Sequence, residues 1–194
     1  DVTRFTVSGA PEAFSGFKIV QISDLHNAEF GTDNQKLIDI LKSEAPDAIV
    51  ITGDLIDARR TNTEIAESFA RRCMEIADCY YVPGNHEARL GSTYDAFESA
   101  LIADGVNVLR NGSVRIRKEM NAIRIIGVDD PAFAKASDAI TNLDAALEAL
   151  SSDDFTILLA HRPELIDEYS KWGIDLVLSG HAHGGQISLQ GIGG

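Results

Sequence analysis

The sequence predicts an α/β domain with layered sheets, and three observations carry that prediction. Short, β-branched apolar runs alternate with stretches of helical period along most of the 194 residues. The stretch 106–128 interrupts this alternation with short β-type runs and an Asn111-Gly112 hairpin signal, so antiparallel pairing is expected there. No segment repeats, and none reads as a linker or a low-complexity tract, so one domain over 1–194 is expected.

Taken in order, Phe17-Lys18-Ile19-Val20-Gln21-Ile22-Ser23 reads as a strand ending at Asp24-Leu25-His26. Residues 33–44 carry Leu37, Ile38 and Leu41 on one helical stripe, closed by Pro46. Ala48-Ile49-Val50-Ile51-Thr52 is a short buried strand ending at Gly53-Asp54-Leu55-Ile56-Asp57. A helix over about 63–77 turns Ile65, Phe69, Cys73 and Ile76 inward, with Ala66 and Ala77. Tyr80-Tyr81-Val82 is a strand ending at Pro83-Gly84-Asn85-His86-Glu87, and a helix over about 93–104 places Phe97, Leu101 and Ile102 inward. After the β-type runs at Val108, 114–116 and 123–126, Asp129-Asp130-Pro131 is a breaker and 141–150 is expected to be helical. Phe155-Thr156-Ile157-Leu158-Leu159 then forms a strand ending at Ala160-His161-Arg162-Pro163. A helix over 163–171 leads to a last core strand, 174–178, and to Gly180-His181-Ala182-His183-Gly184-Gly185-Gln186. Gln186-Ile187-Ser188-Leu189 starts one more strand, and the glycines up to Gly194 read as a turn with more chain expected beyond them.

Net charge is −13, which disfavours nucleic acid as a partner because a phosphate backbone wants a basic surface. An acidic chain that handles phosphate needs local positive charge, and metal ions supply it. No apolar run approaches the roughly 20 residues of a membrane span. The chain begins at Asp1, so it is expected to be a trimmed product, with any anchor or export signal lying outside it. The compartment stays open, cytoplasmic or membrane-associated. Cys73 and Cys79 are too few for a disulfide framework and are expected to be small buried residues.

The informative regularity is positional. Five apolar strands each end on potential ligands: Asp24 and His26, Asp54, Asn85 and His86, His161, then His181 and His183. All five histidines of the chain fall at these ends. Open α/β sheets bind ligands beyond the carboxyl ends of their strands, so these side chains are expected to meet in one pocket. His181 and His183, two apart at a strand end and flanked by glycines, can reach neighbouring points in it. Carboxylate, imidazole and one carboxamide without thiolate suit Mn, Fe, Zn, Co or Ni. Asp24, His26, Asp54, Asn85, His161, His181 and His183 are seven candidates, more than one ion uses, so two ions sharing a carboxylate fit the number better. Two ions roughly 3.5–4 Å apart form the clamp used for displacement at phosphorus.

Asp-x-His, Gly-Asp-x-x-Asp, Gly-Asn-His-Glu, a lone His after a strand, and Gly-His-x-His follow one another from Asp24 to Gln186. This series resembles the calcineurin-like metallophosphoesterase superfamily, and Gly-His-Ala-His-Gly-Gly-Gln resembles a bacterial, often membrane-associated subgroup of it. The resemblance implies two mixed β-sheets packed as a sandwich flanked by helices. It implies two transition-metal ions (Mn, Fe or Zn), with Asp24, His26 and His183 on one, Asn85, His161 and His181 on the other, and Asp54 bridging. It further implies hydrolysis of a phosphoester, with hydroxide between the ions attacking and His86 protonating the leaving alkoxide as general acid. Glu87, next to His86, can hold its charge and tautomer. Asp57 is read either as orienting a ligand histidine or as a solvent-facing carboxylate. Arg89 and Arg162 lie near the motifs and are read first as surface or carboxylate-paired arginines, second as phosphate contacts.

A phosphodiester is the leading substrate class. Phosphomonoesters, lipid or nucleotide pyrophosphates and a non-catalytic metal-binding scaffold are the alternatives. Membrane association is expected only through a segment outside this chain. Selectivity should come from loops 27–33, 58–62, 88–92 and 129–140, where Phe30, Tyr94 and Phe133 are read as core or as contacts to a base or acyl chain.

Overall fold

The computed structural model describes residues 2–133 and 154–182. Among them the chain runs β1 (Ile19–Ile22), α1 (Gln35–Glu44), β2 (Ala48–Thr52), α2 (Thr63–Met74), β3 (Asp78–Val82), α3 (Ser92–Ala103) and β4 (Asn107–Val108). It continues with β5 (Gly112–Lys118), β6 (Asn121–Gly127), β7 (Phe155–Ala160) and β8 (Leu176–Ser179). The strands form two four-stranded sheets, β1-β2-β3-β4 and β5-β6-β7-β8. The first sheet is parallel throughout, because each of its connections is a helical crossover that returns the chain in the same direction. The second is mixed: β5 and β6 pair antiparallel across the Lys118↔Asn121 turn, while β6, β7 and β8 run parallel. The expected sandwich is therefore one parallel sheet against one mixed sheet.

Strand period two sorts the core into layers. Ile49 and Ile51 face α1, α2 and α3, packing with Ile38, Leu41, Phe69, Cys73, Phe97 and Leu101. Ala48 and Val50 on the other face of β2, with Tyr80 and Val82, meet Ile123, Ile125, Ile157 and Leu159 of the second sheet. Beyond that sheet, Ile126, Leu158 and Ala160 pack on Tyr169. β2 is buried along its whole length, which is why it reads as a continuous apolar run without alternation. Both cysteines are buried and free, as expected.

Several expectations shift. Val108 lies in β4, paired parallel to β3, and not in the antiparallel part. Ile102 is 58 % exposed, while Tyr94 joins Phe97 and Leu101 inside. Residues 94, 97 and 101 share a stripe, and 102 sits a further 100° round the helix. α2 ends at Met74, so Ile76 and Ala77 pack from the following turn. The expected helix over 163–171 is broken into a 3-10 turn, one α-turn (Ile166–Tyr169) and a second 3-10 turn. The helix expected over 141–150 and the strand starting at Gln186 lie outside the described residues.

The two sheets come close at Gly127. A Cβ there would fall 2.3 Å from Leu109 Cβ and 2.7 Å from Val82 Cγ1. Gly127→Ala is therefore expected to lower unfolding free energy by about 1–3 kcal/mol through overpacking, read as a lower urea midpoint at unchanged slope.

Candidate metal centre

The site is built from the loops that follow β1, β2, β3, β7 and β8. After β1, the backbone of Asp24, His26 and Asn27 continues to lean on the loop after β2. Asp24 N donates to Gly53 O (3.1 Å), His26 N to Asp54 O (3.0 Å) and Asn27 N to Leu55 O (2.9 Å). Asp24, His26, Asp54 and His181 all adopt left-handed φ, at 55°, 48°, 53° and 65°. For histidine that conformation is costly and persists only where surroundings enforce it, which is common at functional sites. It turns each side chain toward the same crevice.

Glycines allow the loops to meet. A Cβ on Gly84 would lie 2.3 Å from Asp54 Oδ1, one on Gly53 2.6 Å from His161 Nδ1, and one on Gly180 2.0 Å from Ser23 Oγ. Gln21, the one polar residue inside β1, joins the sheets by donating to Thr52 Oγ1 and Ser179 O, both at 2.8 Å.

Asp54 is the centre. Its Oδ1 accepts from His86 N (2.8 Å), and its Oδ2 lies 3.2 Å from His161 Nε2 and 3.8 Å from His26 Nε2. Ligand-type atoms of His26, Asp54 and His86 fall within 4.8 Å of one another, as do those of Asp54, His161 and His181, so Asp54 belongs to both groups. Burial pushes the Asp54 carboxyl up, but the hydrogen bond and charge of His161 with the His86 amide outweigh it and hold the group at about 2. His161 is shifted the other way. Burial alone would lower it, while Asp54, the Thr52 carbonyl and Asp24 raise it.

The ring orientations are set by backbone groups. His161 Nδ1 donates to Thr52 O at 2.7 Å, which leaves the Nε2 lone pair of the neutral ring facing Asp54 Oδ2. A carboxylate and an imidazole lone pair at that distance need a proton or a cation between them. Asn85, 5 % exposed, presents an Oδ1 with no hydrogen-bond donor among the described residues. An orphaned buried acceptor costs about 1–3 kcal/mol, and a cation would satisfy it. The residues present therefore fit divalent or trivalent ions.

His86 is arranged differently. The amide of Ala58 donates to its Nδ1 at 3.0 Å, so the neutral ring carries its proton on Nε2. A ring nitrogen bearing a proton cannot ligate, and this separates His86 from the lone-pair histidines. Asp57 Oδ1 lies 3.3 Å from the same Nδ1. Glu87 does not reach His86, contrary to expectation. Its carboxylate is fully buried and accepts from Gly84 N (2.8 Å), Asp54 N (2.9 Å) and Ile56 N (3.0 Å). Neighbours in a helical turn point apart, so adjacency in sequence misled here. Burial first and the Asp54 charge second push the Glu87 carboxyl up to about 7 against those three amides.

Asp24 accepts from His181 N at 3.0 Å and lies 3.9 Å from His26 Nε2, tying the first loop to the last. Arg162 pairs with buried Asp130 (2.6 Å) and contacts Glu164 and His181, while Arg89 is exposed. Tyr94 is core, and Phe133 packs partly buried against that core with Arg110 over its ring; Phe30, 52 % exposed, stands on the loop after His26. His183 lies outside the described residues. Sequence reasoning missed Asp130, the Thr52 carbonyl and the Ala58 amide. Only Asp130 had a sequence signal, a carboxylate next to a proline break shortly past a strand.

Residues 17–185 match the calcineurin-like phosphoesterase family. The chain is 32 % identical over 196 residues to the uncharacterized metallophosphoesterase YkuE of Bacillus subtilis, covering 97 % of this chain and 66 % of the relative. It is 32 % identical over 189 residues to the bovine (Bos taurus) transmembrane protein with metallophosphoesterase domain, covering 91 % and 42 %. The chain thus spans less than two thirds of the length of these relatives, and among its described residues no helix is long and apolar enough to cross a membrane. In fold it is similar to the phosphopantetheinyl hydrolase of Mycobacterium tuberculosis, with TM-score 0.63, 17 % identity and coverage of 88 % and 84 %. With the family pattern matched over most of its length, the chain belongs to the calcineurin-like phosphoesterases.

Proposed function

We propose that this chain is the hydrolytic domain of a two-cation phosphoesterase, with phosphodiesters as its first substrate class. The observation that carries the reading is Asp54, one buried carboxylate whose Oδ2 lies 3.8 Å from His26 Nε2 and 3.2 Å from His161 Nε2. Asp24, His26, Asp54 and His183 would hold one ion, and Asp54, Asn85, His161 and His181 the other. The donor set is that of Mn, Fe or Zn. Ions held there polarise a phosphoryl group and acidify a water enough for attack at neutral pH.

The chain's own residues do the rest. Asp54 is ionised at any working pH and keeps both groups together. Glu87 fixes the loops on which Asp54 and Asn85 stand. As the imidazolium, with its Nδ1 proton facing Asp57, His86 would give its Nε2 proton to the leaving oxygen and become a neutral ring. In the longer protein, likeness to relatives named as transmembrane supports association with a membrane through a segment outside this chain.

The test is metal content by elemental analysis, with turnover of bis-p-nitrophenyl phosphate and p-nitrophenyl phosphate by the Mn-loaded protein. About two ions per chain and diester turnover are expected. His86→Ala should keep the ions and lose about 10²–10⁴-fold in kcat. Preference for the monoester would move the reading to a phosphatase. Absence of both ions and turnover after reloading would sink it.

A further inference from the structure

Arg162 stands beside the site and is held there by its own carboxylate. Its Nε donates to Asp130 Oδ2 at 2.6 Å and its Nη2 approaches Asp130 Oδ1 at 3.4 Å. Asp130 is 1 % exposed, so the guanidinium is its counter-charge and cannot wander far. From this anchor, Nη1 reaches His181 Nε2 at 3.0 Å, with Glu164 Oε1 at 3.3 Å as its other neighbour.

A guanidinium only donates, so that contact requires a lone pair on His181 Nε2. The neutral ring then carries its proton on Nδ1, which points at His161 Nε2 3.2 Å away. His161 in turn donates from Nδ1 to Thr52 O. The donors in the chain Arg162, His181, His161, Thr52 run in one direction and make His161 Nε2 an acceptor, with Asp54 Oδ2 3.2 Å from the same nitrogen. This arrangement and ligation by His181 exclude each other. If His181 ligates through Nε2, the lone pair Arg162 uses is taken. If it ligates through Nδ1, its proton moves to Nε2 and faces the guanidinium donor.

We propose that Arg162, anchored by Asp130, is a positioning residue that competes with the cation of the Asp54–His161–His181 group for His181. It holds the ring in register when the ion leaves, and it yields to Glu164, on the exposed side, when the ion arrives. The inference rests on the cation-binding reading above and adds to it a residue outside the ligand set. It makes this ion the more exchangeable of the pair than its ligands alone would.

The experiment is a Zn²⁺ titration of chelator-stripped protein, followed by calorimetry and by long-range ¹H–¹⁵N correlation of the histidine rings. In stripped wild type, His181 should show a protonated Nδ1 and a coupling from Arg162 Nη to its Nε2, and Zn²⁺ should abolish that coupling. Arg162→Lys keeps a charge for Asp130 but cannot bridge to His181. Arg162→Gln removes the charge as well. In both, the weaker Zn²⁺ step should tighten by about tenfold, the equivalent of one charge-assisted hydrogen bond. The wild-type spectrum needs no variant, so a variant that fails to fold leaves the proposal falsifiable. Zn²⁺ binding with the Arg162–His181 coupling intact, or unchanged affinity in a folded variant, would overturn the competition alone. Failure of wild type to bind Zn²⁺ at all would overturn the cation reading and this inference with it.

Discussion

Asp54→Asn is expected to abolish diester turnover, with kcat/KM falling by about 10³-fold or more, as expected when a group stabilising the transition state through two cations is lost. The substitution is close to isosteric. Asn can still accept from His86 N through Oδ1, and its amide can donate to the lone pair of His161 Nε2. The fold should therefore survive with an unfolding midpoint near wild type. What disappears is the negative charge that both groups share. Elemental analysis should show fewer than two ions per chain. A variant that kept both ions and wild-type turnover would remove Asp54 from the centre.

Glu87→Gln is expected to be the most destabilising conservative change in the site. The carboxylate accepts from three amides on two loops with two oxygens. A glutamine has one oxygen, and its NH₂ would face at least one N–H donor in a fully buried place. Leaving one buried donor unmet costs about 1–3 kcal/mol, and mismatched donors add to it. The sign with pH is specific. The folded pKa of Glu87, about 7, lies above its ordinary value of 4.5. Its contribution to stability is thus fully present below about pH 4.5 and lost as pH rises through about 7. In chelator-stripped protein, urea midpoints should show the gap between wild type and Glu87→Gln narrowing from pH 5 to pH 8. A constant gap would show that Glu87 does not titrate there.

Much of the site was readable from the chain because apolar runs locate strands, and strand ends in a parallel sheet locate a crevice. Asp24, His26, Asp54, Asn85, His86, His161 and His181 are candidates on that ground, and the described loops bring Asp24, His26, Asp54, His86, His161 and His181 close to one another. The Asn111-Gly112 hairpin signal, by contrast, marks the crossing from β4 in one sheet to β5 in the other, while the β5–β6 hairpin turns at Glu119-Met120. The partners that set ring tautomers were not readable. The Thr52 carbonyl and the Ala58 amide are backbone groups, whose direction depends on φ and ψ and leaves no mark in residue type. Arg162 and Asp130 are 32 residues apart and meet only because β6 and β7 are neighbours. Glu87 follows His86 in sequence, yet its carboxylate turns to three backbone amides, a direction that adjacency does not fix.

The hydrogen bonds from Gln21 to Ser179 and from His181 to Asp24 join residues 158 and 157 positions apart. Contacts of that span form late, after the loop between them has closed. During synthesis, residues 24, 26, 54 and 85 leave the ribosome well before residue 181 can reach them. In the growing chain Asp24, His26, Asp54 and Asn85 are therefore made before their partner His181, and the cluster closes only when β8 docks beside β7.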